Sequence, residues 1–227
     1  MNPEWRSPLY WARFRRARRA LLARAPAGDG HAVLVLPGFL ASDASTAPLR
    51  GFLNRLGYRS DGWGLGRNLG PRPDSRRRLA DWLQAAVHRS GSAVTLVGWS
   101  LGGIYAREMA RAAPAAVRRV ITLGSPFRGG NEQRSVSRLY GWINPRGDAP
   151  RGEGVRLAEP LPVPVTAIYS RNDGVVDWRS CRLDEGECVP PNANHEVTAP
   201  HCALGVDPRT LAVIAESLAA DAATVAA

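Results

Sequence analysis

Residues 93–103 read Ala-Val-Thr-Leu-Val-Gly-Trp-Ser-Leu-Gly-Gly, and this stretch says more about the fold than any other part of the chain. Residues 93–97 form a mostly apolar run that is typical of a strand buried on both faces. Residues 104–113 look helical and stop before Pro114. The G-x-S-x-G pattern between them is typical of a strained turn that exposes a serine hydroxyl above a sheet. Ser100 is therefore the candidate nucleophile.

The segments on either side of this unit alternate between strand and helix patterns. The sequence predicts strands at 32–36, 58–63, 93–97, 117–123, 163–169 and 196–198, and helices at 49–56, 73–91, 104–113 and 207–220. The strand signal at 58–63 is the poorest of the set. Alternation of this kind predicts an α/β fold with a mostly parallel central sheet flanked by helices.

Residues 129–160 interrupt the alternation. They are rich in Gly, Pro and Arg and show little periodicity. A segment of about 30 residues of this kind inside a compact domain is usually functional or disordered. We interpret it as a small lid insertion over a pocket, and a plain surface excursion is the alternative.

The overall composition is that of a folded chain. Of its 227 residues, 44% are hydrophobic and 22% are charged, which excludes a purely disordered protein. Cys181, Cys188 and Cys202 are an odd number and lack a C-x-x-C pair, so they indicate neither a complete disulfide framework nor a zinc site. The sequence does not decide whether two of them form a disulfide. We expect no metal and no cofactor.

The basic charge is concentrated at the amino terminus. Residues 1–24 contain seven Arg and one acid, Glu4, so they hold +6 of the formal +10. Their apolar side chains fall roughly on one helical stripe, formed by Leu9, Phe14, Ala17, Leu21 and Leu22. This pattern predicts an amphipathic helix over residues 1–27 that docks on the main domain, residues 28–227.

Two other interpretations of the basic helix remain. It could lie on an anionic membrane surface or contact nucleic acid phosphates. Because the charge is confined to one end and no recognition motif is present, we expect no nucleic acid partner. Arg interrupts every apolar run of this stretch, so we predict neither a secretory signal nor a membrane span. We expect a cytoplasmic protein, with membrane contact through residues 1–24 as the alternative to simple docking.

A serine hydroxyl needs a base and an acid that orients the base. The chain order serine, acid, histidine leaves His195 and His201 as bases, and His201 is favoured because it follows the end of its strand. The same rule favours Asp173, in the turn after Tyr169, over Asp177. An Asx turn is the structural alternative for Asp173.

The negative oxygen of an acyl-transfer intermediate needs backbone amides that face it. The amide of Leu101, at the start of the helix, is one candidate. The amide of Phe39 is the other, because Pro37-Gly38 allows close approach of the backbone, although a simple Pro-Gly turn would look the same. Four aromatic residues are candidates for an apolar substrate pocket or for the core, namely Trp99, Phe127, Trp142 and Trp178.

Several segments together resemble a known family. They are Leu36-Pro37-Gly38-Phe39, Gly98-Trp99-Ser100-Leu101-Gly102-Gly103, Gly124-Ser125-Pro126-Phe127-Arg128-Gly129, Tyr169-Ser170-Arg171-Asn172-Asp173-Gly174-Val175-Val176 and His201-Cys202-Ala203-Leu204. Over about residues 32–220 the chain is similar to compact bacterial esterases and lipases of the α/β-hydrolase superfamily. The resemblance implies that Ser100, Asp173 and His201 are nucleophile, acid and base. Pro37 departs from the His-Gly that is common at this loop.

The expectation is a metal-free serine hydrolase that cleaves small-molecule or lipid carboxylic esters through an acyl-enzyme. An acyltransferase would use the same residues and differ only in whether an alcohol replaces water. A third possibility is a noncatalytic hydrolase-like module that associates with membranes through its basic helix.

Overall fold

The computed structural model describes residues 3–128 and 157–225. Its centre is a sheet whose six described strands are β1 (Ala32–Leu36), β2 (Arg59–Gly62), β3 (Val94–Trp99), β4 (Val117–Leu123), β5 (Val165–Ser170) and β6 (Ala193–Val197). They lie in the order β2-β1-β3-β4-β5-β6, and every neighbouring pair is parallel. All six strands therefore point their carboxyl ends at the same edge, where parallel sheets place their ligands.

Helices cover both faces of the sheet. They are α1 (Ser7–Arg24), α2 (Asp43–Leu56), α3 (Ser75–Ser90), α4 (Leu101–Ala112) and α5 (Pro208–Val225). Successive side chains of a strand point to opposite faces, so Val33 and Val35 of β1 join the core beneath α1, α2 and α5. Ala32, Leu34 and Leu36 join the core beneath α3 and α4. Both faces of β1 are buried, which explains its uninterrupted apolar sequence.

The elements agree with the predicted fold, including the poorly signalled strand β2. Helix α2 ends at Leu56 and is followed by Gly57, whose φ of 105° lies in the left-handed region that favours glycine after a helix. The main difference is β6, which begins at Ala193 and so includes His195 within the strand rather than before it. The lid prediction falls mostly on residues 129–156, which lie outside the described residues.

The basic helix α1 packs on the sheet domain. Tyr10 and Phe14 are buried in the same core as Val33, and the Tyr10 hydroxyl donates a hydrogen bond of 3.0 Å to the carbonyl of Thr198. The predicted apolar stripe was wrong in one member, because Leu9 is 53% exposed and the next residue, Tyr10, faces the core instead. Among residues 3–128 and 157–225, no helix is long and apolar enough to cross a membrane.

Arg107 of α4 ties together the chain on both sides of residues 129–156. Its guanidinium lies 4.0 Å from the ring centre of Phe127 and donates to the carbonyls of Leu157 (3.2 Å) and Glu159 (2.8 Å). Burial lowers the pKa of Arg107 to about 9, so the side chain is still a cation at neutral pH. The two ends of the predicted insertion are thus anchored to the helix that follows Ser100.

Candidate active site

Ser100 occupies the sharp turn between β3 and α4. Its φ of 53° and ψ of −119° are strained for a residue with a side chain, and strain of this kind is concentrated at functional sites. This turn is possible because Gly98 and Gly102, each two residues from Ser100, have no side chain. A Cβ on Gly98 would lie 2.3 Å from the Cα of Gly103, and a Cβ on Gly102 would lie 2.4 Å from the carbonyl oxygen of Leu36. The G-x-S-x-G spacing therefore reflects close approach of backbone on both sides of the serine.

Asp173 and His201 form a hydrogen-bonded pair beyond the carboxyl ends of the strands. The distance from His201 Nδ1 to Asp173 Oδ2 is 2.6 Å. The other carboxylate oxygen, Oδ1, accepts hydrogen bonds from the amides of Val175 (2.9 Å) and Val176 (2.7 Å), and only 1% of the Asp173 side chain is exposed. The carboxylate is thus fixed in orientation. It holds the Nδ1 side of the imidazole, which leaves Nε2 to exchange a proton with a substrate or nucleophile.

Hydrogen bonds tie the turn of Ser100 to the end of β4 and to the backbone of His201. Its amide donates to the carbonyl of Leu123 at 2.8 Å, and the indole nitrogen of Trp99 donates to the carbonyl of His201 at 3.1 Å. Among the described residues, no hydrogen bond joins the Ser100 hydroxyl to His201. Such bonds are often long without substrate and shorten only in the complex, so the pairing of Ser100 with His201 stays a prediction.

Gly124 creates the space for the pair at the end of β4. Its φ is 53°, and a Cβ there would lie 3.1 Å from both Asp173 Oδ2 and His201 Nδ1 and 2.7 Å from Leu204 Cδ1. Any side chain at this position would press on the acid–base hydrogen bond. The glycine is therefore needed both for its backbone conformation and for the space beside it.

We predict that Gly124→Ala lowers the rate of ester hydrolysis by about 10- to 100-fold, because displacements of about 1 Å in a catalytic group commonly have effects of this size. The measurement is kcat at saturating substrate. Gly91→Ala is the matched control, since Gly91 has a φ of 71° but nothing within 4 Å of an added Cβ. Equal activity losses in the two variants would show that backbone strain alone is responsible.

The structure separates the favoured acid and base from their alternatives. Asp177 accepts a hydrogen bond from the amide of Arg179 at 2.9 Å and caps the short helix Trp178–Cys181. His195 lies within β6, paired with Ile168, and burial lowers its pKa. In the described part of the chain, neither residue bonds to Asp173 or His201. Both therefore have structural explanations of their own.

The two amides predicted to bind a negative oxygen flank the serine. Gly38 approaches it so closely that an added Cβ would lie 3.3 Å from Ser100 Cβ, which places the following Phe39 amide near the turn. Leu101 begins α4, where the helix dipole favours negative charge. Between the described residues, neither of these amides donates a hydrogen bond, so both are available to a ligand.

Asn68 supports the loop that carries Phe39. Its side-chain nitrogen donates to the carbonyl of Pro37 at 2.8 Å, and its backbone exchanges hydrogen bonds with Leu40 (2.7 Å) and Ala41 (2.8 Å). Leu40 has a positive φ of 61°, a strained conformation that these bonds stabilise. Asn68 is almost fully buried and fixes the loop from beneath.

A second carboxylate–imidazole–hydroxyl series lies at the opposite edge of the sheet. His31 contacts Asp29 through Nδ1 and Thr95 through Nε2, the latter at 3.0 Å. Thr95 has no exposed surface, so no substrate can reach its hydroxyl. This series stabilises the amino ends of the strands and is not a second active site.

Of the four aromatic residues predicted for a substrate pocket, the structure describes three, and it buries Trp99 and Phe127. Trp99 belongs to the core and uses its indole nitrogen for His201, and Phe127 has no exposed surface and lies against Arg107. Trp178 is partly buried, stacks on Tyr169 with ring centres 5.6 Å apart, and is covered by the guanidinium groups of two arginines. Trp142 lies outside the described residues.

The three cysteines are free thiols. Cys181, Cys188 and Cys202 form no disulfide in the structure. Burial, reinforced by the nearby carboxylate of Glu4, raises the pKa of Cys202 to about 12, so this thiol beside His201 stays protonated at neutral pH. A protonated thiol is a poor nucleophile.

A cavity of about 590 Å³ lies between α3 and α4. Its wall includes Leu79, Leu83, Ile104 and Met109, and it contains none of the predicted site residues. We therefore do not place the substrate there.

Three residues that shape the site were not predicted. Asn68 could not be predicted, because nothing in the sequence indicates that its loop lies against Pro37 in the fold. Gly124 belongs to a quoted motif, but only coordinates show what a Cβ would meet. Glu4 accepts hydrogen bonds from the amides of His201 and Cys202. It does stand out in the sequence, because it is the single acid beside the seven arginines of residues 1–24.

Solved structures share this architecture. A monoacylglycerol lipase of Paleococcus ferrophilus is 16% identical, with 87% of this chain and 96% of that chain covered and a TM-score of 0.63. The carboxylesterase CesB of Bacillus subtilis is 15% identical over 92% of this chain and 98% of that one, with a TM-score of 0.58. Lipase B of Aspergillus fumigatus is 19% identical over 89% of this chain and 57% of that one, with a TM-score of 0.60.

These likenesses, at 15–19% identity, are likenesses of fold. The chain has the α/β-hydrolase fold, with Ser100 at the turn that follows the third strand of the sheet. No protein-family model matches the sequence, and a search of curated proteins finds no relative.

Proposed function

We propose that the protein is a hydrolase of carboxylic esters, an esterase or lipase, with Ser100 as nucleophile, His201 as base and Asp173 as acid. The observation that carries the proposal is the 2.6 Å hydrogen bond between His201 and Asp173 at the edge of the sheet where Ser100 sits in its strained turn. The esterases and lipases that share the fold support it. Because the fold alone would permit a noncatalytic protein, the proposal rests on these three residues.

The proposed reaction has two halves. Ser100 Oγ attacks the ester carbon while His201 Nε2 takes its proton, and the negative oxygen of the tetrahedral intermediate accepts hydrogen bonds from the amides of Phe39 and Leu101. The C–O bond to the alcohol breaks, and His201 returns the proton to the departing alkoxide. Water then repeats the attack on the acyl-enzyme and releases the acid. Asp173 orients the imidazole and stabilises the imidazolium that forms.

Covalent labelling tests this proposal. A fluorophosphonate reacts with an activated serine by displacement of fluoride, and we expect one adduct per chain, located on Ser100 by peptide mass spectrometry. The same preparation should hydrolyse p-nitrophenyl esters. An intact, folded chain that is not labelled and has no hydrolytic activity would instead support the noncatalytic interpretation.

The substrate class is proposed from apolar side chains beside the site. Trp5, Leu40 and Val175 are each about half exposed, and each is next to or near a residue of the site in the chain. Trp5 follows Glu4, whose carboxylate contacts the loop of Asp173. Exposed apolar groups around a site, beside the exposed arginines of α1, suit an ester with a long acyl chain at a lipid surface. Membrane-surface contact through residues 1–24 belongs to this proposal.

We predict that Val175→Ser lowers the ratio of p-nitrophenyl laurate to p-nitrophenyl acetate hydrolysis by about 10-fold, because burying one valine side chain in an apolar phase contributes ~1.5 kcal/mol. Val189→Ser is the matched control, since Val189 is also exposed but belongs to another loop. The assay follows initial rates as laurate passes its solubility limit. Smooth saturation on short esters, with no preference for laurate in the wild type, would point to a simple esterase.

A further inference from the structure

Glu4, from the segment before α1, contacts the loops of both Asp173 and His201. Its Oε1 accepts hydrogen bonds from the amides of Gly174 (3.0 Å) and His201 (2.7 Å), and its Oε2 accepts one from the amide of Cys202 (2.8 Å). One carboxylate thus joins the residue after the acid to the base itself. We propose that Glu4 is a positioning residue that holds the acid and the base of the site in register. This inference rests on the proposed function.

Two of the amides that Glu4 binds, those of His201 and Cys202, have no hydrogen-bond acceptor within their own helix. His201 and Cys202 are the first residues of the short helix His201–Val206, and the first amides of a helix have no acceptor within it. A capping side chain normally satisfies them, but the preceding residue is Pro200, which supplies none. Glu4 fills this role from nearly 200 residues away in the sequence.

The carboxylate is suited to this position because it is charged. Burial alone would raise the pKa of Glu4, but the hydrogen bonds from the three amides outweigh it and hold the pKa below its ordinary value of 4.5. The Glu4 carboxylate is therefore ionised at neutral pH. Hydrogen bonds from amides to a charged acceptor are also stronger than those to a neutral one.

Helix α1 delivers Glu4 to this place. Tyr10 and Phe14 are buried in the main core, and the Tyr10 hydroxyl bonds to Thr198, three residues before the base. The basic helix consequently has a role that its charge does not reveal. It carries the only acid of its segment to the two loops on which proton transfer depends.

The test compares Glu4→Gln with Glu108→Gln. Gln keeps the size of the side chain but replaces one acceptor oxygen with an NH₂ group that faces an amide donor. We expect kcat to fall by about 10- to 100-fold, since an acid–base pair misplaced by about 1 Å has an effect of this order, while KM changes less than about threefold. Glu108→Gln makes the same chemical change at an ion pair with Arg111 on α4 and should leave kcat within about threefold of the wild type. Thermal unfolding of both variants shows whether a loss of fold has lowered the active fraction.

Two further measurements separate the outcomes. In the wild type, hydrogen exchange at the amides of Gly174, His201 and Cys202 should be slow, because Glu4 accepts their hydrogen bonds. Rapid exchange at these amides would contradict the positioning role of Glu4 even if Glu4→Gln does not fold. A wild type labelled at Ser100 whose kcat is unchanged by Glu4→Gln would overturn the positioning role alone. A wild type without labelling or hydrolysis would overturn the proposed function, and the role of Glu4 with it.

Discussion

Ser100→Ala is expected to lower kcat for p-nitrophenyl ester hydrolysis by about four to six orders of magnitude, because the residues of a serine triad act as a unit. The Ser100 hydroxyl is the group that we expect to form the covalent acyl intermediate, with His201 as the base that removes its proton. Residual activity should come from binding and from the amides of Phe39 and Leu101, which the substitution leaves in place.

The matched control is Ser125→Ala. Ser125 is also buried, lies just after β4, and uses its hydroxyl for weak bonds of 3.4 Å to the carbonyls of Gly98 and Leu123. We expect its kcat to stay within about 10-fold of the wild type. Thermal unfolding of both variants shows whether the chains are intact. Ester hydrolysis that survives in a folded Ser100→Ala chain would contradict the assignment of the nucleophile.

Asp173→Asn is the second prediction with a large effect, and we expect kcat to fall by about 10⁴-fold, as removal of the acid's charge does in other triads. The reason lies in the two amides that bind Oδ1. Val175 and Val176 both donate to that atom, so the Asn side chain must keep its oxygen there and present its NH₂ group to His201 Nδ1. Nδ1 then becomes an acceptor, and the proton moves to Nε2, which can no longer receive the proton of Ser100.

Asp177→Asn provides the comparison. Asp177 caps the helix Trp178–Cys181, and Asn is as good a capping residue as Asp. We expect kcat to change less than about threefold. Kinetics of both variants on one short ester decide the point. A large loss in Asp177→Asn together with near-normal activity in Asp173→Asn would exchange the roles of the two carboxylates.

The fold could be read from the sequence because each buried strand has a distinctive pattern. Strand β4 lies at the residues predicted for it, 117–123, and the G-x-S-x-G turn follows β3. The rule that reactive groups follow the carboxyl ends of parallel strands selected Asp173 and His201, which contact each other in the structure. Their catalytic roles stay predictions until tested.

Features that depend on tertiary contacts were not predicted correctly. Leu9 and Tyr10 are adjacent, and helical periodicity could not decide which of them faces the core. Trp99 and Phe127 suit a pocket and a core equally well by residue type, and the structure assigns both to the core. Glu4 binds backbone amides and Asn68 a backbone carbonyl of loops that are distant in the sequence, and local patterns could not show which loops these are.

The most direct test of the proposed site is a crystal structure of the chain after reaction with a fluorophosphonate. We predict a covalent bond from Ser100 Oγ to phosphorus, with the phosphoryl oxygen within about 3.1 Å of the amides of Phe39 and Leu101. His201 Nε2 should lie within hydrogen-bonding distance of the Ser100 oxygen while Nδ1 keeps its bond to Asp173. An adduct on another residue, or an imidazole of His201 that points away from Ser100, would contradict the account.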